Sequence, residues 1–256
     1  VLVGRALEKG GNEMTTVDPQ QPVVILGGFL ITEEAYEAMA QWLKHQGVRD
    51  VLVVPMSKLD WLLTIWGFGW RRLLDRVDAM VKQLQNHSLQ GKVTLIGHSS
   101  GGVMMRLYLS DAPFQGRVYD GAKRCDRLIT LGSPHQALRA TPLREMVDRC
   151  FPGCHEPDVD YVAIAGKLDL SSDYASAFSQ RGAKTSYQRA AGDEECIGDG
   201  LVPVQSALLK GARHLIQDDT AHGGLFGDIW FASIERLETW WKFVLSGEFS
   251  KDNINS

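Results

Sequence analysis

The stretch that decides the fold reads Lys92-Val-Thr-Leu-Ile-Gly-His-Ser-Ser-Gly-Gly-Val103. Its first half is apolar and β-branched, and its second half places glycines two residues before and two after Ser99. This order predicts a buried strand over 93–96, a sharp turn at Ser99 and a helix over 101–110. A serine at the apex of such a turn is typical of an activated nucleophile. The alternative, a structural glycine-rich turn, is disfavoured by the flanking strand and helix.

On both sides of this turn, short apolar runs alternate with amphipathic segments. The further predicted strands are 23–26, 51–54, 128–131, 161–165 and 211–216, and the further predicted helices are 33–46, 71–85 and 229–245. Such alternation predicts an α/β fold, a parallel sheet covered on both faces with ligand sites at the carboxyl ends of its strands. We expect one domain over 23–246, an N-terminal extension over 1–22 and a C-terminal tail over 247–256.

Composition excludes several classes of function. The 256 residues are 44% hydrophobic and 23% charged, with a formal net charge of -4. No basic cluster indicates a nucleic-acid partner, and no apolar run reaches the roughly 18 residues of a membrane span. We therefore expect no nucleic acid, no stable membrane anchor and no cofactor. Residues 1–11 lack the pattern of a signal peptide, which favours the cytoplasm or a plastid stroma, and Met14 is a candidate initiator.

The four cysteines have no spacing typical of a disulfide scaffold or a zinc site. Cys150 and Cys154 flank Phe-Pro-Gly, so a local bridge between them is one interpretation. Two reduced thiols are the favoured interpretation. We predict no metal site.

Chain order indicates the partners of Ser99. Where this turn carries a nucleophile on an α/β sheet, the order is serine, acid, histidine. His222 follows the last predicted strand and precedes the final helix, whereas His214 lies inside that strand and is interpreted as structural. Asp199, between two glycines, is the predicted acid, with Asp169 as the alternative. The oligomeric state is left open.

Two backbone N–H groups are candidate donors to an oxyanion. One belongs to Ser100, after the nucleophile, and the other to Phe29 in the loop after the first strand, with Leu30 as the alternative. The aromatic segment 61–70 is interpreted either as a wall or flap of an acyl pocket or as the start of a core-packed helix. The predicted substrate-binding residues are Leu30, His98, Trp61, Trp66 and His135.

Taken together, these motifs resemble lipase-like α/β-hydrolases, especially the lipase and esterase group with Gly-His-Ser-x-Gly turns. The chain is also similar to uncharacterised lipase-like proteins of cyanobacteria and plastids. The segments that carry the resemblance, besides the Ser99 turn, are Gly27-Gly28-Phe29, Leu131-Gly-Ser-Pro-His135 and Gly198-Asp-Gly-Leu-Val-Pro203. The resemblance begins near Val23, and it implies a reduced, mostly parallel sheet of about six strands flanked by helices. Lipases commonly have His-Gly where this chain has Gly27-Gly28.

The resemblance implies an enzyme that hydrolyses carboxylic esters, lipid-like or short-chain, through an acyl-enzyme. Ser99, Asp199 and His222 carry over as its catalytic triad, and Phe29 and Ser100 as its oxyanion donors. Thioester cleavage, acyl transfer and hydrolysis of a pigment ester are alternative reactions on the same scaffold. A non-enzymatic small-molecule receptor is the alternative from a different class, because a fold does not determine a function.

Overall fold

The computed structural model describes residues 17–136 and 138–248. The candidate initiator Met14, most of the predicted N-terminal extension and most of the predicted tail lie outside the described residues. The division of the chain at residues 23 and 246 stays a prediction.

A parallel sheet forms the centre of the described chain. Its six strands are β1 (Val23–Leu26), β2 (Val51–Val53), β3 (Val93–His98), β4 (Cys125–Leu131), β5 (Asp160–Lys167) and β6 (Arg213–Asp218). They lie in the order β2-β1-β3-β4-β5-β6, and every neighbouring pair is parallel. The predicted α/β-hydrolase fold with a reduced sheet is confirmed. The last strand starts two residues later than predicted, because Gly211 has a φ of +87° and turns the chain before it.

Helices cover both faces of this sheet. They are α1 (Glu37–His45), α2 (Lys58–Leu63), α3 (Gly67–Gln85), α4 (Ser100–Leu109), α5 (Pro142–Cys150), α6 (Ala177–Ala191), α7 (Val204–Ala207) and α8 (Ile234–Ser246). A short 3₁₀ turn, Glu33–Tyr36, precedes α1. Among the described residues, no helix is long and apolar enough to cross a membrane. Cys150 and Cys154 are free thiols.

The two faces of the sheet bury separate apolar cores. Alternate residues of β1 point to opposite sides, as the period of two in a strand requires. Val24 and Leu26 pack into the core shared with α3 and α4, while Val23 and Ile25 pack into the core shared with α1 and α8. Because helices cover both faces of the sheet, a ligand can reach β3 at its carboxyl end, where Ser99 follows.

Candidate active site

Ser99 lies at the apex of the turn between β3 and α4. Its φ of 53° and ψ of -125° place a non-glycine residue in a strained conformation of the kind found at nucleophile elbows. The neighbouring glycines permit the close approach of helix and strand. A Cβ on Gly97 would lie 2.3 Å from the Cα of Gly102, and one on Gly101 would lie 2.4 Å from the carbonyl oxygen of Leu26. Larger residues at these positions would push α4 away from the sheet.

The structure brings Ser99, His222 and Asp199 together in one buried chain of hydrogen bonds. Ser99 Oγ lies 2.9 Å from His222 Nε2, and His222 Nδ1 lies 2.8 Å from Asp199 Oδ2. The other carboxylate oxygen of Asp199 accepts from the backbone N–H groups of Leu201 and Val202 at 3.1 and 2.7 Å. Because Asp199 can only accept, it selects the tautomer in which Nδ1 carries the proton and Nε2 is free to accept from Ser99.

The alternative acid and base lie elsewhere. His214 is in β6, and its Nε2 bonds the carbonyl of Leu209 at 2.7 Å. Asp169 is exposed and accepts from the backbone and hydroxyl of Ser171 at 2.9 and 2.7 Å. Neither side chain has a hydrogen bond to Ser99 or His222 within the part of the chain that the structure describes.

The two predicted oxyanion donors border the same space as Ser99. Ser100 is the first residue of α4, so its N–H has no acceptor within the helix. The loop that carries Phe29 comes close because its neighbour is glycine: a Cβ on Gly28 would lie 2.9 Å from the Cβ of Ser99. Leu30, the alternative donor, has a φ of 62° in this turn. Both N–H groups are therefore candidates to stabilise a negative oxygen formed next to Ser99.

Sequence reasoning missed the buried pair Tyr36 and His98, which connects the loops on either side of Ser99. The backbone N–H of Gly28 donates to the Tyr36 hydroxyl at 2.9 Å, and that hydroxyl lies 2.6 Å from His98 Nδ1. His98 Nε2 lies 2.8 Å from the carbonyl oxygen of His222. A carbonyl only accepts, so Nε2 carries the proton and the Tyr36 hydroxyl donates to Nδ1.

Burial keeps this pair in those protonation states. It raises the pKa of the Tyr36 hydroxyl, so the phenol keeps the proton that it donates. It also lowers the pKa of His98 well below its usual value, and a positive charge on His222 would act in the same direction. A neutral His98 with one donor and one acceptor matches both of its partners.

Three residues predicted to bind substrate do not line a cavity beside Ser99. His98 is fully buried beneath Ser99, because adjacent residues at a strand end point to opposite sides. His135 is also buried, and its Nε2 lies 3.1 Å from Thr130 Oγ1. Trp66 is 54% exposed and stacks on Phe68, because it precedes the first turn of α3 with its ring directed away from the core. The structure thus places all three side chains outside the walls of the two cavities at Ser99.

Leu30 and Trp61 do line the space at Ser99, which divides into two cavities. The first has a volume of about 400 Å³ and includes Phe29, Trp61, Trp70, Ser99, Ser100 and Met104 in its walls. The second has a volume of about 510 Å³ and includes Phe29, Leu30, Ser99, His222, Phe226 and Trp230. Ser99 and Phe29 border both, so an ester bound at Ser99 has room on each side of its carbonyl.

The aromatic segment 61–70 turns out to combine both interpretations. Trp61 is completely buried and donates from Nε1 to the carbonyl of Ile31 at 3.1 Å, yet it also forms cavity wall. The glycines of the segment 61–70 do not interrupt α3, which begins at Gly67. A Cβ on Gly69 would lie 2.1 Å from the carbonyl oxygen of Leu63, so glycine there permits the packing of α3 against α2.

Among the described residues, no group of three His, Cys, Asp or Glu side chains is placed to hold a metal ion.

Solved structures with the same arrangement of elements confirm the fold. The mature lipase BlEst2 of Bacillus licheniformis has a TM-score of 0.58 and 16% identity, over 89% of this chain and 92% of that one. The product of the Listeria innocua gene lin2722 has a TM-score of 0.55 and 17% identity, over 91% and 96%. Est1E of Butyrivibrio proteoclasticus has a TM-score of 0.51 and 13% identity, over 88% and 87%. No curated protein sequence matches the chain.

A sequence model of one protein family assigns the chain to a single family within this fold. The model for palmitoyl protein thioesterase matches residues 22–190, which include the turn at Ser99 and end before Asp199 and His222. The prediction of an enzyme that cleaves carboxylic esters is confirmed at the level of its class. The matched region covers well over half of the sequence, and the chain therefore belongs to the palmitoyl protein thioesterase family.

Proposed function

We propose that this chain is a serine hydrolase that cleaves esters or thioesters with a lipid-like part, through an acyl-enzyme on Ser99. The observation that carries the proposal is the hydrogen bond of 2.9 Å between Ser99 Oγ and His222 Nε2, at a point where two cavities meet. The largely apolar walls of these cavities suit acyl chains better than charged polymers. The family description adds thioesters to the substrate class.

Each residue of the site has its own role in the proposed reaction. His222 Nε2 accepts the Ser99 proton as Oγ attacks the carbonyl carbon, and the carbonyl oxygen becomes an oxyanion. The N–H groups of Phe29 and Ser100 stabilise that oxyanion without reorganisation. The tetrahedral intermediate then expels the alcohol or thiol, which takes the proton from His222. Water, deprotonated by the same histidine, attacks the acyl-enzyme and releases a carboxylic acid and free Ser99.

Asp199 acts through His222 in this scheme. Its carboxylate stabilises the imidazolium that forms when the Ser99 proton is taken. The two backbone donors from Leu201 and Val202 hold the carboxylate in place, and their bonds go to the oxygen that does not face the histidine. The acid therefore keeps one orientation throughout the cycle.

The test compares Ser99→Ala with wild type on nitrophenyl esters of increasing chain length and on acyl thioesters followed with a thiol reagent. We expect kcat/KM to fall by about a thousandfold or more, because the nucleophile is lost while the fold remains. Ser110→Ala is the matched control, since Ser110 is a buried serine at the far end of the same helix with its hydroxyl bonded to the Leu107 carbonyl. It should keep wild-type activity.

A fluorophosphonate probe gives an independent measurement. It should label Ser99 in folded wild-type protein and in Ser110→Ala, and it should not label Ser99→Ala. Equal hydrolysis by wild type and Ser99→Ala over the whole panel, together with an unlabelled Ser99, would contradict the proposal.

A further inference from the structure

The first cavity has an apolar wall and a basic wall that come from different halves of the chain. Phe29, Trp61 and Trp70 form the aromatic side. The basic side consists of Arg139 before α5, Arg144 in α5 and Arg189 in α6. Three arginines in the wall of one cavity of about 400 Å³ are a local excess of positive charge in a chain whose net charge is -4.

Within the described residues, the three arginines of this wall lack carboxylate counter-ions. Over residues 17–136 and 138–248, none of the three has a carboxylate oxygen within 4 Å, whereas Arg76 and Arg213 each bind an aspartate. Arg144 donates from Nη2 to the Pro134 carbonyl at 3.0 Å. Its buried Nε has no hydrogen-bond partner among the described residues.

The environment of Arg144 also opposes its charge. Burial lowers the pKa of Arg144, and Asp148 on the same helix offsets only part of this effect without reaching ion-pair distance. A buried cation without a paired anion is unfavourable, because a desolvated charge needs a partner. An anion bound in the first cavity would supply that partner. Guanidinium groups bind carboxylates and phosphates in this way, often through two parallel hydrogen bonds.

The position of His222 indicates which part of the substrate enters this cavity. His222 lines the second cavity and is absent from the walls of the first. In the proposed reaction His222 gives its proton to the leaving alcohol or thiol, so the leaving group lies on the side of the second cavity. The acyl group then extends from Ser99 into the first cavity, between the aromatic residues and the arginines.

We propose that the first cavity binds an acyl group with an apolar body and a terminal oxyanion, a carboxylate or a phosphate, which Arg139, Arg144 and Arg189 hold. This inference rests on the proposed function, because it uses the direction of proton transfer from His222. It assigns a specificity-determining subsite to a face of the cavity that the hydrolytic chemistry itself does not use.

The test uses three nitrophenyl esters that differ only at the far end of the acyl group. One is the half-ester of suberic acid with a free carboxylate, the second carries a phosphate in place of that carboxylate, and the third is the neutral methyl ester. We expect kcat/KM for at least one anionic substrate to exceed that for the methyl ester by about tenfold or more, mainly through KM. The better anion identifies the group that is recognised. Added salt should reduce the preference, because part of the site faces water.

Arg144→Gln and Arg189→Gln should each lower the preference for the anionic end by about tenfold, where the preference is the ratio of kcat/KM for the anionic ester to kcat/KM for the methyl ester. Arg181→Gln is the matched control, because Arg181 lies on the same helix as Arg189 but not in the cavity wall. Arg181→Gln should change kcat/KM for neither the anionic ester nor the methyl ester. An equal loss in Arg181→Gln would mean a long-range effect of net charge and would overturn the subsite.

Binding without turnover separates this inference from the proposed function. We expect suberate to bind Ser99→Ala in calorimetry, and the binding to weaken in the double variants with Arg144→Gln or Arg189→Gln. If the methyl ester is hydrolysed, but no anionic ester is preferred and suberate does not bind, the subsite is wrong and the hydrolase proposal stands. If suberate binds through the arginines while no ester is cleaved, the subsite stands and the reaction is wrong.

Discussion

Tyr36→Phe tests whether the buried Tyr36–His98 pair positions the groups around Ser99. The substitution removes one oxygen and keeps the ring, which packs against Gly27 and contacts Trp230 edge-on at 5.7 Å between ring centroids. Two buried groups lose their partner at once: the N–H of Gly28 and the Nδ1 acceptor of His98. Any change in activity then reflects the hydroxyl and not the loss of a large side chain.

The expected magnitude follows from these two groups. A buried donor or acceptor left without a partner costs about 1–3 kcal/mol, so the free energy of unfolding should fall by about 2–6 kcal/mol. The effect on turnover arises because Gly28 precedes the proposed donor Phe29. Since removal of one oxyanion donor costs about a hundredfold to a thousandfold in kcat, displacement of the loop should lower kcat by about tenfold or more. KM should change little, because the cavity walls remain.

Urea unfolding and steady-state hydrolysis of a nitrophenyl ester measure the two effects. Tyr161→Phe is the matched control: its hydroxyl also accepts from a backbone N–H, that of Glu156 at 3.4 Å, and it lies in the core on β5. We expect it to lose some stability and no activity. Tyr36→Phe with wild-type kcat would refute the positioning role, even if the protein were less stable. A rise in KM at constant kcat would also refute it, since that result would place Tyr36 in substrate binding.

Two further predictions concern glycine and histidine. Gly28→Ala places a methyl group 2.9 Å from the Ser99 Cβ, so kcat should fall by about a hundredfold or more. Gly182→Ala on α6 should keep full activity, because an added Cβ there meets open space. Equal kcat values in the two variants would be contrary to this prediction. Burial lowers the pKa of His98 well below its usual value and that of His155 to about 4, so unfolding takes up protons below about pH 6.5. The free energy of unfolding should therefore rise with pH from about 4 to 6.5. The rise is up to about 1.4 kcal/mol per pH unit for each histidine, and less for the partly exposed His155. Urea titrations in which the free energy of unfolding stays flat or falls over this range would contradict the prediction.

The fold was predictable because its signals are local. The apolar run before Ser99 and the glycines around it specify strand, turn and helix within a dozen residues. Alternation of strand and helix patterns then leaves few topologies. The packing of the segment 61–70 was not predictable, because the sequence does not distinguish a glycine that ends a helix from one that lets two helices touch. Gly69 is of the second kind.

The site was predictable only where chain order constrains it. Asp199 and His222 follow from the order of acid and base, and the structure brings both to Ser99, although their catalytic roles stay a prediction. Tyr36 had no such signal, since its two partners are 8 and 62 residues away. For His98 the sequence does carry a signal, because a period of two at the end of β3 places its side chain on the side opposite Ser99.

Both loops that flank Ser99 depend on a tyrosine for their position. Glycine allows these loops to approach the serine, but it also leaves the backbone free to adopt other conformations. The N–H of Gly28 is held by the Tyr36 hydroxyl, and the N–H of Gly200, which follows Asp199, is held by the hydroxyl of Tyr187 at 2.8 Å. Tyr187 lies on α6, the helix that also contributes Arg189 to the first cavity. An anion bound by Arg189 in the proposed subsite would therefore stabilise the same helix that fixes Asp199. Substrate recognition and the alignment of His222 would then both depend on α6.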